Sequence, residues 1–232
     1  MIIKRSAKDR GLTDLGWLHS RHTFSFGNYY DPNHMGFRSL RVINDDVVEP
    51  GKGFATHSHQ DAEIFSYVIE GELEHKDNFG NGYIIQAGEF QYMSAGRGVR
   101  HSEFNPSSKN RVHFLQVWLK PNQSGGEPRY AQKKIERTPN TLSLLFSDQP
   151  QGVAVAIRQN ANIYFGNYEA NQAFTFSINP KHGVWIQVIQ GEMECLGEIL
   201  KTDDGASIAE ISEFKIEIKT QSQFLLFELA SP

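Results

Sequence analysis

The sequence predicts an all-β protein built from a duplicated β unit, and three observations carry that reading. The 16 Phe and 8 Tyr favour strands, and the 20 Gly cut the chain into short runs. Few segments sustain a helical period. A β-rich block of the first half returns, in order, in the second.

The elements follow in sequence. Leu40-Arg41-Val42-Ile43-Asn44, Ile64 to Glu70 and His113 to Leu119 read as strands. Gly71, Gly80-Asn81-Gly82 and Ala87-Gly88 fall where turns are expected. Strands at this spacing predict barrels or sandwiches. Asp45-Asp46 reads as turn chemistry closing a strand. Pro121 to Thr138 is rich in breakers and reads as a linker. After it, Val184 to Glu194 can be laid over Ile64 to Glu74, sharing Val-Ile-polar-Gly-Glu-apolar-Glu. Asp204-Gly205-Ala206 echoes Ala87-Gly88-Glu89, and Phe224 to Leu229 parallels Phe114 to Leu119. Two domains are therefore expected, residues 1–130 and 131–232.

Composition narrows the function. With 23 basic and 27 acidic residues and no long basic run, direct nucleic-acid binding is not expected. A single cysteine, Cys195, excludes an internal disulfide and fits a reducing compartment. Without a signal-peptide core or an apolar run of about 20 residues, a cytoplasmic protein without membrane contact is expected, and a monomer is taken as its state.

The chemistry concentrates in His57-Ser58-His59 and His101-Ser102-Glu103. In a strand, i and i+2 point the same way. Two such pairs on facing strands put three imidazoles and a carboxylate into one interior, a set suited to one divalent transition metal. The second copy differs: Ser177, Asn179 and Gly183 stand where the first has His57, His59 and Glu63. Only the N-terminal copy is expected to hold metal. His19, His22, His34, His75, His113 and His182 carry no metal spacing, and His113 shares the alternation of Leu115 and Val117, a partly buried position. The aromatic run Trp17 to Phe37 reads as core packing, with one or two residues at a pocket. Arg97 and Arg100 read as solvated, though either could meet an anionic substrate.

Gly51-x5-His57-x-His59-x3-Glu63 with Gly71 resembles the first cupin motif, one residue longer than usual before the glycine, and Gly98-x2-His101-x3-Asn105 resembles the second, with Gly96 where proline is usual. Gly16-Trp17-Leu18, Thr23-Phe24-Ser25-Phe26, Tyr29-Tyr30-Asp31-Pro32, Gly36-Phe37 and Leu40 to Asp46, continued by Met93 to Glu103, resemble the pirin family. The resemblance implies a bicupin: two double-stranded β-helix (jelly-roll) barrels, the first a metal-binding cupin and the second a cupin without metal ligands. It implies the ligands His57, His59, His101 and Glu103, with Fe(II) as the usual metal and Mn, Ni, Cu or Zn as alternatives. It implies quercetin 2,3-dioxygenase activity, opening a flavonol with O2 and releasing CO. The alternative is a redox-sensing regulator that engages a transcription factor or metabolic enzyme as protein partner.

Two carboxylates compete for the fourth position. Cupins in general use the glutamate of the first motif, Glu63; pirins use that of the second, Glu103. Glu103 shares a strand face with His101, whereas Glu63 reaches the ion only if its strand keeps register after Asp61. Glu103 is therefore the expected ligand and Glu63 a weak ligand or a buttress for a ligating imidazole. Either carboxylate is a candidate base for the flavonol hydroxyl.

Overall fold

The computed structural model describes residues 1–231. The chain is all-β: two seven-stranded and two four-stranded sheets, with one 3-10 turn, Ala7–Asp9, as the helical element among the described residues. None of its helices is long and apolar enough to cross a membrane. The chain divides into two compact units, one of Gly11–Gly36 and Leu40–Ile135, the other of Met1–Arg10, Phe37–Ser39 and Glu136–Pro232.

In the first unit the larger sheet runs, neighbour by neighbour, Arg129–Lys134, Glu89–Ser94, Glu63–Glu70, Val112–Leu119, Leu40–Val48, Leu18–His22 and Gly11–Asp14. The smaller runs Gly53–His59, Val99–Phe104, Glu72–Asp77 and Gly82–Gln86. The second unit repeats the plan. Its smaller sheet runs Ala173–Ser177, Glu213–Ile218, Glu192–Cys195 and Glu198–Lys201, and the centre of its larger sheet runs Gly205–Ile208, His182–Gln190, Ser222–Ala230 and Ala161–Tyr168.

Glycine marks the repeat. Gly71 and Gly191 have φ of 80° and 99°. A Cβ at either would lie 2.5 Å from the Arg111 carbonyl oxygen or 2.3 Å from that of Gln221. Both turns need a residue with no side chain and no cost at positive φ.

The division departs from the expected 1–130 and 131–232. Ile2–Arg5 pairs with Gly205–Ile208, so the first ten residues complete the second unit. Arg129–Lys134 lies in the expected linker but pairs with Glu89–Ser94. In each case an otherwise open sheet edge gains a partner for its backbone donors and acceptors.

The Asp45-Asp46 turn is also overturned. Both residues lie inside the nine-residue strand Leu40–Val48, and both are buried. Asp45 accepts from or pairs with His113 Nε2 at 2.6 Å. Asp46 lies opposite Phe114, on the face that turns Val48 into the core.

The interiors of the two units differ in chemistry. Strand register aligns them: Ser66 sits between Gln91 and Gln116, as Ile186 sits between Ala206 and Leu226. Glu103 faces His75, as Ile216 faces Cys195. All five residues of the second set belong to one apolar core cluster. Their counterparts in the first unit, Ser66, His75, Gln91, Glu103 and Gln116, are polar and buried. This register pairs Gln91 with Ala206, two residues away from the echo suggested by Gly88 and Gly205.

Candidate metal centre

Gly53–His59 and Val99–Phe104 bring the histidines together by pairing. His101 lies opposite His57, and Val99 opposite His59. Ring centroids are 4.7 Å apart for His57 and His59, 4.5 Å for His57 and His101, and 4.9 Å for His59 and His101. Ligand atoms of these three lie within 4.8 Å of one another.

Hydrogen bonds bear on which nitrogen His57 and His101 offer. His57 Nδ1 donates to the Ala55 carbonyl at 2.8 Å, leaving Nε2 with its lone pair. His101 is fixed through a relay. Asp77 Oδ2 lies 3.4 Å from His75 Nε2, and His75 Nδ1 lies 3.4 Å from His101 Nδ1. If His75 donates its Nε2–H to the carboxylate, its Nδ1 accepts from His101. His101 Nε2 is then unprotonated, and it is the nitrogen that is buried without a hydrogen-bond partner. An orphaned buried lone pair beside two imidazoles fits a metal ligand. Burial first, then the neighbouring histidines, pushes His59 and His101 down to about 3. Neutral imidazole is the form that binds metal.

Glu103 is buried on the same strand face as His101. It accepts from Gln91 Nε2 at 2.5 Å and from Gln116 Nε2 at 2.7 Å. Ser66 Oγ gives its single proton to Gln116 Oε1 at 2.7 Å, in preference to Glu103 Oε1 at 3.3 Å. Burial raises the Glu103 carboxyl above the usual range, against the lowering effect of His75 and His57. Glu103 groups with His75 and His101 rather than with all three expected ligands. The two groups share His101.

His75, expected to carry no metal spacing, lies within the cluster. The signal was present: His75-Lys76-Asp77 is another i, i+2 pair, and Glu103 faces His75 in register. Glu63 belongs to neither group. Its strand points Ile64 and Ser66 into the barrel and therefore turns Glu63 to the opposite face. There its carboxylate accepts from Tyr92 Oη and Ser94 Oγ. The weak-ligand, buttress and base roles offered to Glu63 are corrected by this alternation.

An aromatic wall adjoins the histidines. Trp118 packs edge-on against His59 at 4.8 Å, and Phe26 against Trp118 at 5.4 Å. Both line a cavity of about 450 Å³ with Val42 and Ala62. From the aromatic run, Phe26 thus reaches a pocket, while Phe24 is buried and Trp17 packs on Phe54. Arg97 pairs with Glu127 at 2.6 Å on the surface. Arg100 lines a smaller cavity, of about 270 Å³, with His59.

A family model described as Pirin matches residues 4–119, and one described as Quercetinase C-terminal cupin domain matches residues 144–229. The chain is 44% identical over 229 residues to a quercetin 2,3-dioxygenase of Escherichia coli strain K12, covering 99% of both. It is 34% identical over 235 residues to a pirin-like protein of Caulobacter vibrioides, covering 99% and 100%. It is similar to the crystal structure of YhhW from Escherichia coli, with a TM-score of 0.98, 44% identity and coverage of 100% and 99%. The nickel(II) complex of that bacterial pirin matches with a TM-score of 0.97 and 44% identity, covering 100% of both chains.

Proposed function

The chain belongs to the pirin family, and on that premise we propose that it is a metal-dependent dioxygenase that opens a flavonol such as quercetin with O2 and releases CO. One observation carries the proposal. His57, His59 and His101 bring possible ligand atoms within 4.8 Å of one another, with His101 Nε2 buried and unpartnered, beside an aromatic-walled cavity.

His57, His59 and His101 would hold the cation, with Glu103 as fourth ligand, and Fe(II) is the metal we propose. When bound, such a cation supplies Lewis acidity and a redox partner for dioxygen. The chain supplies the rest. Trp118 and Phe26 offer flat apolar faces to an aromatic bicycle and exclude water from the reacting carbons. Glu103 would serve as the base for the flavonol 3-hydroxyl, a role supported by the burial that raises its affinity for a proton. Gln91 and Gln116 hold that carboxylate still. The nickel complex of the Escherichia coli pirin supports a metal at a cupin of this kind, and the relative's name supports the substrate class.

The test is purification without added metal, metal analysis, and quercetin turnover on the same sample. The expected result is one metal per chain and CO released in step with O2 consumed. Turnover no greater than that of free metal, with the site fully loaded, would overturn the reading.

A further inference from the structure

The second barrel keeps a cavity at the position where the first carries its aromatic mouth. It measures about 920 Å³ and is lined by Ser147, Asn160, Asn162, Tyr164, Asn179 and His182, among others. Register fixes the correspondence. Val42 lies opposite Trp118 in one unit, and Asn162 lies opposite Glu228 in the other. Ile64, two residues after Ala62, pairs with Trp118; Val184, two residues after His182, pairs with Glu228. The turns before them carry the same backbone exception: Asp61 has φ 49° and Lys181 has φ 75°. An apolar wall of Val42, Ala62 and Trp118 is thus exchanged for Asn162, His182 and Glu228.

Of the exchanged residues, Asn162 and His182 line the cavity, and Glu228 backs them from beneath. Glu228 is buried. Its Oε2 accepts from Asn162 Nδ2 at 3.0 Å, and its Oε1 from the Asn179 backbone N–H at 2.7 Å. Asn162 Oδ1 accepts in turn from Ser147 Oγ at 2.7 Å. His182 is 9% exposed, and its Nδ1 has no hydrogen-bond partner, lying 3.7 Å from Glu228 Oε1. A buried polar atom left in this way costs stability unless something meets it. These groups lie outside the apolar cluster that forms the core of the barrel.

The lining selects the ligand. Amides and a hydroxyl both donate and accept, which matches vicinal hydroxyl groups. Tyr164 adds a ring face for an apolar sugar face. Lys181 and Asp148 oppose each other in charge, and the buried Glu228 disfavours an anion. An aromatic ligand would find few apolar partners there. We propose that the C-terminal barrel holds a second, metal-free binding site for a neutral polyhydroxylated molecule of mono- or disaccharide size, set on the Asn162–Glu228–His182 floor.

This proposal does not rest on the dioxygenase reading. The test titrates the full-length protein with D-glucose, D-galactose and sucrose, followed by saturation-transfer NMR and calorimetry, with inorganic phosphate as competitor. The expected result is saturable binding of at least one sugar, indifferent to phosphate and unchanged in His57→Ala. Asn160 and Asn179 are exposed, so the Asn160→Ala/Asn179→Ala protein keeps its fold, checked by its melting curve. It should bind about tenfold more weakly, the loss expected for one or two hydrogen bonds. Glu228→Gln serves as the second variant and should weaken binding similarly. No saturable binding by any of the sugars, equal affinity in the double variant, or displacement by phosphate would overturn the proposal.

Discussion

At the scale of single residues, the centre is a set of lone pairs aimed by hydrogen bonds. His57→Ala removes one of three convergent imidazoles, and metal retained after desalting should fall to background, as read by elemental analysis. His75 acts through His101. With His75 Nε2 donating to Asp77, its Nδ1 accepts from His101 and leaves His101 Nε2 available, so on that tautomer His75→Ala should weaken metal affinity by about 10–100-fold without removing a ligand. A competition titration against a metal-responsive dye reads that change, and His75→Gln, which keeps an acceptor, should lose less. Asp46 gives a pH effect. Burial pushes its carboxyl from 3.8 up to about 7, with Asp45 and Glu103 adding to the rise and Ser20 and His113 opposing it. The folded protein therefore holds a proton that the unfolded chain has released. Stability should fall as pH rises through the window from about 4 to about 7. In Asp46→Asn the urea midpoint should lose that slope, and a slope equal to that of the parent protein would remove Asp46 as its source.

At the scale of elements, the alternation of side chains along each strand decides which residues face the site. The pair His57-x-His59 and the pair His101-x-Glu103 each lie on one strand face, as alternation requires. The same rule excludes Glu63, because Ile64 and Ser66 already occupy the inward positions. Whether Glu63 was in phase depended on the turn at Asp61, whose positive φ is not written in a hydrophobic pattern. Asp45-Asp46 failed for a related reason. Two adjacent acids usually mark a turn, but here the strand runs through them, since Ser20 and His113 supply partners on the neighbouring strands. Gly71 and Gly191 were legible as turns, and the structure adds a steric ground. Gly71→Ala and Gly191→Ala should each cost about 1–3 kcal/mol in a denaturant titration, from positive φ and blocked Cβ positions together.

At the scale of the whole chain, duplication followed by divergence explains why, among the described residues, the groups that could hold a metal lie in one barrel. Five buried polar residues of the first unit are replaced by five members of an apolar cluster in the second, so the counterparts of Glu103 and its glutamines are gone from that position. The first ten residues belong to the second unit through Ile2–Arg5. Deleting them should expose the edge of Gly205–Ile208, lower the melting temperature and promote aggregation, while metal content stays at its original value. Loss of metal in that deletion would contradict the assignment of the metal to the first unit.

The sequence by itself determined the all-β class, the duplication, the three histidines and the absence of their counterparts at Ser177 and Asn179. Each is a matter of residue type at fixed local spacing, and a strand converts such spacing directly into a shared face. Only the tertiary structure decided that His75 and Asp77 support His101, that Glu63 faces away, that Asp46 is buried in mid-strand, and that Met1–Arg10 closes the second unit. Those facts depend on which strands pair and in what register. Register is set by the joint burial of two faces and by the partners each edge finds, a property of residues far apart in the chain.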